Sequence, residues 1–451
     1  MKQSLTLAAA LFASLSSHFA SASPQVTALN MVQDGGRKVT ITYTITNAPA
    51  VVTLDIETNI VVNGETTGWA SIGGEHIWNA TGDVWKKVGS SGTFNGRITW
   101  LPYKSWTDEE GNGFTVDGTT YKARARLTAW PLDNPPDYMV LDITEAGAPG
   151  LQRYYESPDF LPGGLLANED YRKTKLVMRK IMADGVTWTM GSTSAETLRY
   201  TGDAREAVHQ VTLSDNYYIG VFPMTMKQVV SVWTSKYGSF QVADDWEMRP
   251  VERICYNEIR HNSGQGDNSS YHYPADPAEI SFLGRLRTRT GLPFDLPTEA
   301  QWEFACRAGH GPGEWNDGSP MLGTKADANL NRLARCLNNP SSNNNKNLAD
   351  YTTLASVGGT AVVGSYEPNS WGLYDMLGNV WEWCLDCYAT DITGLNGAIN
   401  TSGSTRSVRG GNWRFEADWC RPAARNDYDP SNRSVTTGIV GFRVACPVDV
   451  P

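Results

Sequence analysis

From residue 25 to about 145, apolar positions recur at every second residue. Val39, Ile41, Tyr43 and Ile45 alternate with Lys38, Thr40, Thr42 and Thr44. Val52, Leu54 and Ile56 repeat the pattern, as do Tyr121, Ala123, Ala125, Leu127 and Ala129. Successive side chains of a strand point to opposite faces, so this period marks strands with one buried face. Gly35-Gly36, Asn47-Ala48-Pro49 and Gly111-Asn112-Gly113 interrupt the runs where turns are needed. Several short strands separated by such turns predict an all-β sandwich of immunoglobulin or fibronectin type over residues 23–145. Nothing in this stretch points to catalysis, and His76 beside Glu75 and Trp78 reads as a surface group.

After about residue 182 the period changes and helix start signals appear. Thr225-Met226-Lys227-Gln228 spells a capping box ahead of Val229, Val230 and Trp233, with Gly238 as the stop. Asp276-Pro277-Ala278-Glu279 places a cap, a first-turn proline and an acid ahead of Ile280, Leu283 and Leu286, with Gly291 as the stop. Thr298-Glu299-Ala300-Gln301 opens a third helix through Trp302, Phe304 and Ala305, closing near Gly309. Each cap satisfies amide donors that a first helical turn leaves free. The remainder reads as loops and short strands, which makes 182–451 an α+β domain. Between the two parts, residues 146–181 carry Pro149, Pro158, Pro162 and Gly163-Gly164 and read as a linker or strap.

The length of 451 residues accommodates this two-domain division, and 40% hydrophobic residues suffice for real cores. Forty-eight acidic against 38 basic residues give a net charge of −10 with no long Lys/Arg run, which argues against nucleic acid or an anionic membrane as partner. At the start, Lys2, the apolar run Leu5 to Phe12 and the small residues Ala20-Ser21-Ala22 spell a secretory signal peptide over 1–22, cleaved near Ala22. The mature chain is therefore expected to be secreted or periplasmic. No later stretch reaches the roughly 18–20 apolar residues of a membrane span.

All seven cysteines lie in the C-terminal half, at 255, 306, 336, 384, 387, 420 and 446. In an oxidising compartment such cysteines pair by default, and an odd count leaves one over. Cys384 and Cys387 form a C-x-x-C without the second pair that a four-thiolate zinc site needs.

Four strings are specific: Leu296-Pro297-Thr298-Glu299-Ala300-Gln301-Trp302-Glu303, the run from Gly372 to Trp383 containing Gly378-Asn379-Val380-Trp381-Glu382-Trp383, Arg409-Gly410-Gly411-Asn412-Trp413, and Gly441-Phe442-Arg443-Val444. With Val186-Thr187-Trp188-Thr189-Met190-Gly191-Ser192 ahead of them, they resemble, in order, the formylglycine-generating enzyme family, also called sulfatase-modifying factors, over about 182–446. The resemblance implies a compact, loop-rich α+β fold related to C-type lectins. It also implies structural calcium, a hard cation that gathers several oxygens. The first site would use the backbone oxygens of Leu377, Gly378 and Val380 with the Glu382 carboxylate; the second would use Asn329 and the Leu330 carbonyl. The competing reading is that Glu382 pairs with an arginine and the tryptophans around it are core.

Enzymes of this family convert a sulfatase cysteine to formylglycine with oxygen and copper(I) held by two thiolates, a soft metal on soft ligands. Here Phe415 stands where the first of those cysteines belongs, and Asn412 where the family has serine. Counted forward from Gly411, Cys420 falls on the second cysteine; counted back from Ala423-Ala424-Arg425 it does not. The shorter segment resembles a non-oxidase branch, in which Cys420 would form a disulfide with Cys306; Cys255 with Cys446 is a weaker second pairing. Copper is thus not expected. Histidine-rich metal motifs, a Gly-x-Ser-x-Gly elbow and a phosphate-cradling Gly-Lys-Ser/Thr loop are missing from the sequence. Asp375, Asp386 and Glu382 could converge as paired acids, or they could fix loops through Arg409, Arg425 and Arg443.

Two readings of function follow. In the first, the chain is an exported ligand- or surface-binding module whose groove is formed by Asn412, Trp413, Arg414, Phe415, Asp418 and Trp419, with a protein or glycan as ligand. In the second, it is a formylglycine-generating oxidase acting on a sulfatase, with thiolates recruited from elsewhere; Cys384 and Cys387 are then the close pair at hand. Some other enzymatic activity stays open.

Overall fold

The computed structural model describes residues 22–34, 37–62, 65–107, 123–144, 152–194, 196–233, 244–261, 273–337, 359–431 and 438–448. The expected leader apart from Ala22, the turns at Gly35-Gly36 and Gly111-Asn112-Gly113, Tyr121 and the Gly238 stop lie outside these residues.

Six strands form the first sheet: β1 (Gln25–Gln33), β2 (Val39–Val62), β3 (Glu65–Ser71), β4 (Thr81–Gly82), β5 (Lys86–Trp100) and β6 (Ala123–Trp130). The long β2 is its spine, paired with β1 and β5 over its first half and with β6 and β3 further along. Val39, Ile41, Tyr43 and Ile45 face inward from the first half and Val52, Leu54 and Ile56 from the second. The inward set thus passes from odd to even positions. Register shifts between Ile45 and Ala50, where Asn47 adopts φ 58°, account for the change. An irregularity of this kind moves the side-chain phase by one residue, and Asn tolerates the positive φ. The turn expected at Asn47-Ala48-Pro49 is therefore a bulge within one continuous strand.

A second, antiparallel sheet runs in the order β17-β12-β9-β7-β8. It contains β7 (Tyr138–Asp142), β8 (Gln152–Tyr155), β9 (Lys175–Ile181), β12 (Tyr217–Gly220) and β17 (Ala445–Pro447). One side of it, with Tyr138, Val140, Tyr155, Val177 and Val221, joins the core formed by the inward residues of the first sheet. The other side, with Met139, Leu141, Leu176 and Met178, joins a core containing Val229, Phe282, Leu286, Trp383 and Phe442.

This arrangement corrects two expectations. Residues 23–145 do not form a self-contained sandwich: they build a six-stranded sheet and give one strand, β7, to the covering sheet, whose other four strands come from later residues. Residues 146–181 are not a strap, because they contribute β8, the short helix α1 (Asp170–Lys173) and the inner strand β9. Leu176-Val177-Met178 is buried on both faces, so it shows a continuous apolar run instead of alternation, and the surrounding prolines and glycines obscured it.

Helices α2 (Met226–Val232), α3 (Tyr256–Arg260) and α4 (Phe282–Thr290) pack on the second core, and α5 (Glu299–Arg307) on a third with Met190, Trp315 and Met376. Helices α2 and α5 begin with the expected capping boxes, Thr225 with Gln228 and Thr298 with Gln301. Helix α4 starts later than Asp276-Pro277 suggested: the Ser281 side chain accepts from the Gly284 amide at 3.1 Å, and Gly291 ends it at φ 70°. The short strands β10 (Thr187–Met190) and β11 (His209–Thr212) pair with each other. A last sheet, ordered β15-β14-β13-β16, comprises β13 (Trp381–Cys387), β14 (Arg406–Arg409), β15 (Arg425–Tyr428) and β16 (Val440–Gly441). All seven residues of β13 are buried, and it carries the Glu382 string into the interior.

Candidate functional site

Glu382 lies on β13 opposite Arg409 of β14 and Gly441 of β16. The turn before it is tight: Gly378 at φ 72° would bring a Cβ within 2.3 Å of the Arg335 carbonyl, and Asn379 follows at φ 60°. Both oxygens of Glu382 are occupied. Arg443 donates from Nε to Oε2 at 2.7 Å and from Nη2 to Oε1 at 2.8 Å, and Trp302 Nε1 donates to Oε2 at 2.6 Å. Trp302, Arg443 and Glu382 are all buried. A buried carboxylate is stable only when paired in this way, and the geometry leaves no oxygen of Glu382 turned to a cation. As it stands here, the Glu382 carboxylate of the expected first calcium site is engaged by Arg443 and Trp302, the arginine pairing of the competing reading. At the second expected site, the Asn329 side chain donates to the Pro320 carbonyl at 2.8 Å. The nearby Asp327 carboxylate accepts from the amides of Asn329 and Leu322 at 2.9 and 2.6 Å, and Leu330 is buried core. Among the described residues, no group of three or more His, Cys, Asp or Glu side chains is arranged to hold a metal.

Further buried ion pairs surround this one. Arg425 grips Glu299 through two hydrogen bonds of 2.6 and 2.8 Å, Arg409 meets Glu303, and Glu303 also accepts from Arg307 and from the Gly191 amide at 2.9 Å each. Burial alone raises the pKa of both acids, yet both are held below the usual carboxylate range. Arg425 is the main counterweight for Glu299; Arg307 and then Arg409 serve for Glu303. Arg421 pairs with Glu206 and Glu196. Asp386 and Asp375 have different partners. Asp386 accepts from the amides of Glu299 and Asn400, and burial with the Glu299 charge pushes its pKa up to about 7. Asp375 accepts from the Gly364 amide and the Asn379 side chain, and burial raises it to about 6. These acids organise loops; they do not converge on an open site. The sequence reading missed Glu299 and Glu303 as partners, although their i, i+4 spacing on α5 places both on one helix face.

The groove candidates divide into two sets. Gly410 and Gly411 turn the chain at φ 95° and 75° after β14. Asn412 is fully buried, its Oδ1 accepts from the Arg414 amide at 2.8 Å, and its Nδ2 has no hydrogen-bond partner. Trp413 is 1% exposed and donates from Nε1 to the Gly438 carbonyl at 3.0 Å, so it is core and not groove. The expectation for Trp413 is corrected accordingly: its amide donates to the Asn379 carbonyl at 3.0 Å and its ring lies in the interior. Arg414, Phe415, Asp418 and Trp419 remain half-exposed. The rings of Phe415 and Trp419 lie 5.6 Å apart, and each meets the buried Trp381 edge-on at 6.3 and 6.2 Å. The Arg414 guanidinium lies 5.6 Å from the Trp413 ring. Burial pushes the Asp418 carboxyl up, against the opposing pull of Lys325.

All seven cysteines are buried thiols. The Cys306–Cys420 bridge implied by the resemblance is not closed here, both residues standing as free thiols. Cys306 Sγ lies 3.9 Å from the Met376 carbonyl, and the Cys336 thiol together with burial pushes the Cys420 thiol far above its usual range. Cys384 is held far above the usual thiol range by burial, which leaves it a poor metal ligand.

A cleft of about 1080 Å³, lined in part by Asp215, Arg287, Asp295, Gln301, Asn396 and Pro447, shares no residue with the 412–420 loop. Its walls come from loop residues without a motif, so periodicity gave no signal for it.

Residues 169–448 match the sulfatase-modifying factor enzyme 1-like domain family. Similar curated proteins include a formylglycine-generating enzyme of Streptomyces coelicolor, 32% identical over 179 residues that cover 34% of this chain and 47% of the enzyme. They also include the serine/threonine-protein kinase pkn1 of Chlamydia pneumoniae, 28% identical over 244 residues that cover 53% of this chain and 34% of the kinase. The chain thus spans between about a third and a half of the length of these relatives. Among solved structures, variable protein 1 of Treponema denticola is similar at 24% identity and a TM-score of 0.43, covering 61% of this chain and 96% of that one.

Proposed function

Because the chain belongs to the sulfatase-modifying factor enzyme 1-like domain family, we propose that it uses this scaffold to bind a ligand and not to oxidise a cysteine. The observation that carries the reading is the place of Phe415. Where the resemblance requires a copper thiolate, a phenyl ring packs against Trp381 and Trp419. A phenyl ring offers a metal no donor, whereas a half-exposed pair of aromatics offers a ligand a flat apolar surface at little entropic cost. Arg414 and Asp418 flank the pair with opposite charges and supply polar contacts at its rim. The ligand class is a protein or glycan presented outside the cytoplasm, in keeping with the leader read over residues 1–22. No helix among the described residues is long and apolar enough to cross a membrane.

The oxidase is kept as a second reading because Cys420, counted forward from Gly411, falls on the second family cysteine. Against it, Cys420 is buried, and its thiol is held far above the usual range by the Cys336 thiol and by burial, whereas copper(I) binds the thiolate.

The test of the binding reading is a glycan and peptide array probed with the full-length mature protein and with a Phe415→Ala/Trp419→Ala variant. The reading expects array binding by the unaltered protein that is lost in the variant while the thermal midpoint stays close to its original value. Equal binding by both proteins would remove the 412–420 loop from the site.

A further inference from the structure

The cleft of about 1080 Å³ has walls of one electrical sign. Four aspartates line it, Asp133, Asp184, Asp215 and Asp295, against a single cation, Arg287. That cation is already engaged: Arg287 Nη1 donates to Asp276 at 2.6 Å, and Nη2 donates to Asp295 at 3.3 Å. Asp295 is engaged as well, because Arg260 grips it through two hydrogen bonds of 3.0 and 2.9 Å. The other three acids are exposed, and among the described residues no lysine, arginine or histidine pairs with any of them. Lys180, which reaches the loop carrying Asp133, donates to Asn134 Oδ1 at 2.7 Å and pairs with Asp137 at 3.4 Å. The fold holds the acids in place. Asn216 Oδ1 accepts from the amides of Ala183 and Asp184 at 2.8 and 3.1 Å, which joins the loops bearing Asp184 and Asp215 into one wall. Ser214 Oγ donates to one oxygen of Asp215 at 2.5 Å and leaves the other open. The edge strand β17 adds acceptors and no donors. Ala445 turns its amide and carbonyl to Asp295, at 2.8 and 2.9 Å, and Pro447, the next residue of that phase, has only a carbonyl to offer. Beneath the rim, Leu296, Leu385 and Val448 line the cleft from the core.

We propose that this cleft is a second binding site, separate from the 412–420 loop, whose occupant is a basic peptide segment of a partner protein. Lysine and arginine match both parts of it: their aliphatic stems lie on an apolar floor while their charged heads reach an acidic rim. Their heads are donors only, and the rim and the β17 edge offer acceptors only. Charge of one sign in a cleft also draws an oppositely charged partner in and turns acidic ones away. The volume stands just above the roughly 300–1,000 Å³ of small-molecule sites, which suits several residues of a peptide better than one small amine. A second copy of this chain is a poor occupant, since it carries a net charge of −10 and no long Lys/Arg run. The proposal rests on no part of the reading of the 412–420 loop, with which the cleft shares no residue.

The experiment is fluorescence anisotropy of the full-length protein with a fluorescein-labelled peptide of alternating lysine and leucine. The same peptide with glutamate in place of lysine, and spermine as a competitor, serve as comparisons. The lysine peptide should bind, more weakly as salt rises, and the glutamate peptide should not. Asp133→Asn/Asp184→Asn/Asp215→Asn should weaken binding about tenfold, the sum of three exposed pairs, at an unchanged thermal midpoint. Glu65→Gln/Glu75→Gln/Glu169→Gln removes the same charge from exposed positions outside the cleft and should leave the affinity within about twofold. Phe415→Ala/Trp419→Ala should also leave it unchanged, so failure here and failure of the 412–420 reading give separate results. Absent binding, equal binding of the two peptides, or equal losses in the two charge variants would overturn the proposal. Spermine binding as tightly as the peptide would overturn the peptide as occupant.

Discussion

Arg443 clasps both oxygens of Glu382, at 2.7 and 2.8 Å, inside a core from which water is excluded. The residue that the resemblance offers as a cation ligand thus serves to fasten β13 to the C-terminal segment. Loss of one partner leaves the other charge buried and alone, which costs about 3–5 kcal/mol. Arg443→Met should lower stability by that amount in denaturant titration, as should Glu382→Gln to a lesser degree, since Gln keeps one acceptor for Trp302. A loss below about 1 kcal/mol for Arg443→Met would contradict this account of the pair.

The same geometry predicts the response to calcium. With Glu382 saturated by Arg443 and Trp302, chelation should leave the thermal midpoint where it is, and millimolar calcium should not raise it. A midpoint that climbs with calcium concentration would show that the ion pair opens to admit the metal.

Trp413 and Trp419 are predicted to behave differently although both stand in one loop. Trp413→Ala removes a buried ring with a satisfied Nε1, at a cost of about 3–5 kcal/mol. Trp419→Ala removes a half-exposed ring and should cost clearly less while abolishing ligand binding. Equal stability losses in urea melts would place both rings in the core.

Asp386 gives the protein a distinctive pH response. Burial and the Glu299 charge raise its folded pKa to about 7, well above the value of an unfolded aspartate. Between about pH 4 and 7 the folded state therefore binds more protons at this group than the unfolded state, and its contribution to stability falls as pH rises through that window. Asp375, raised to about 6, acts with the same sign. Glu299 and Glu303 act oppositely: their folded pKa values are depressed, so their contribution is present above the unfolded value and lost as pH falls. The Asp386→Asn variant should flatten the decline in stability between pH 5 and 7 relative to the parent, read as the difference between two urea-melt series. Parallel series would contradict the raised value.

What the sequence disclosed follows from which features are local. The capping boxes at Thr225 and Thr298 are spelled within four residues and recur in the structure unchanged. The family strings likewise mark segments that the fold brings together: the α5 string supplies Trp302 and Glu303, and the last string supplies Arg443. Longer-range relationships left no local trace. Strand β9 is buried on both faces and lost its alternation, and the cover of the first sheet comes from residues beyond its own domain. Trp413 and Trp419 are chemically identical in sequence, and the ties of Trp413 to Asn379 through its amide and to Gly438 through Nε1 are what distinguish the inward ring. The backbone tie from the Leu337 amide to the Phe415 carbonyl, which joins the 335–337 segment to the aromatic loop, is likewise one that no spacing rule anticipates.

The most direct measurement is a conversion assay on the purified protein, loaded with copper(I) under oxygen and given a peptide bearing the sulfatase motif Cys-x-Pro-x-Arg. Mass spectrometry reads the change from cysteine to aldehyde, with an active family enzyme run in parallel. The binding account predicts unmodified peptide, because Phe415 occupies the place of the first thiolate and packs against Trp381 and Trp419. Aldehyde product at turnover would contradict it and would make Cys336 and Cys420 the first residues to mutate.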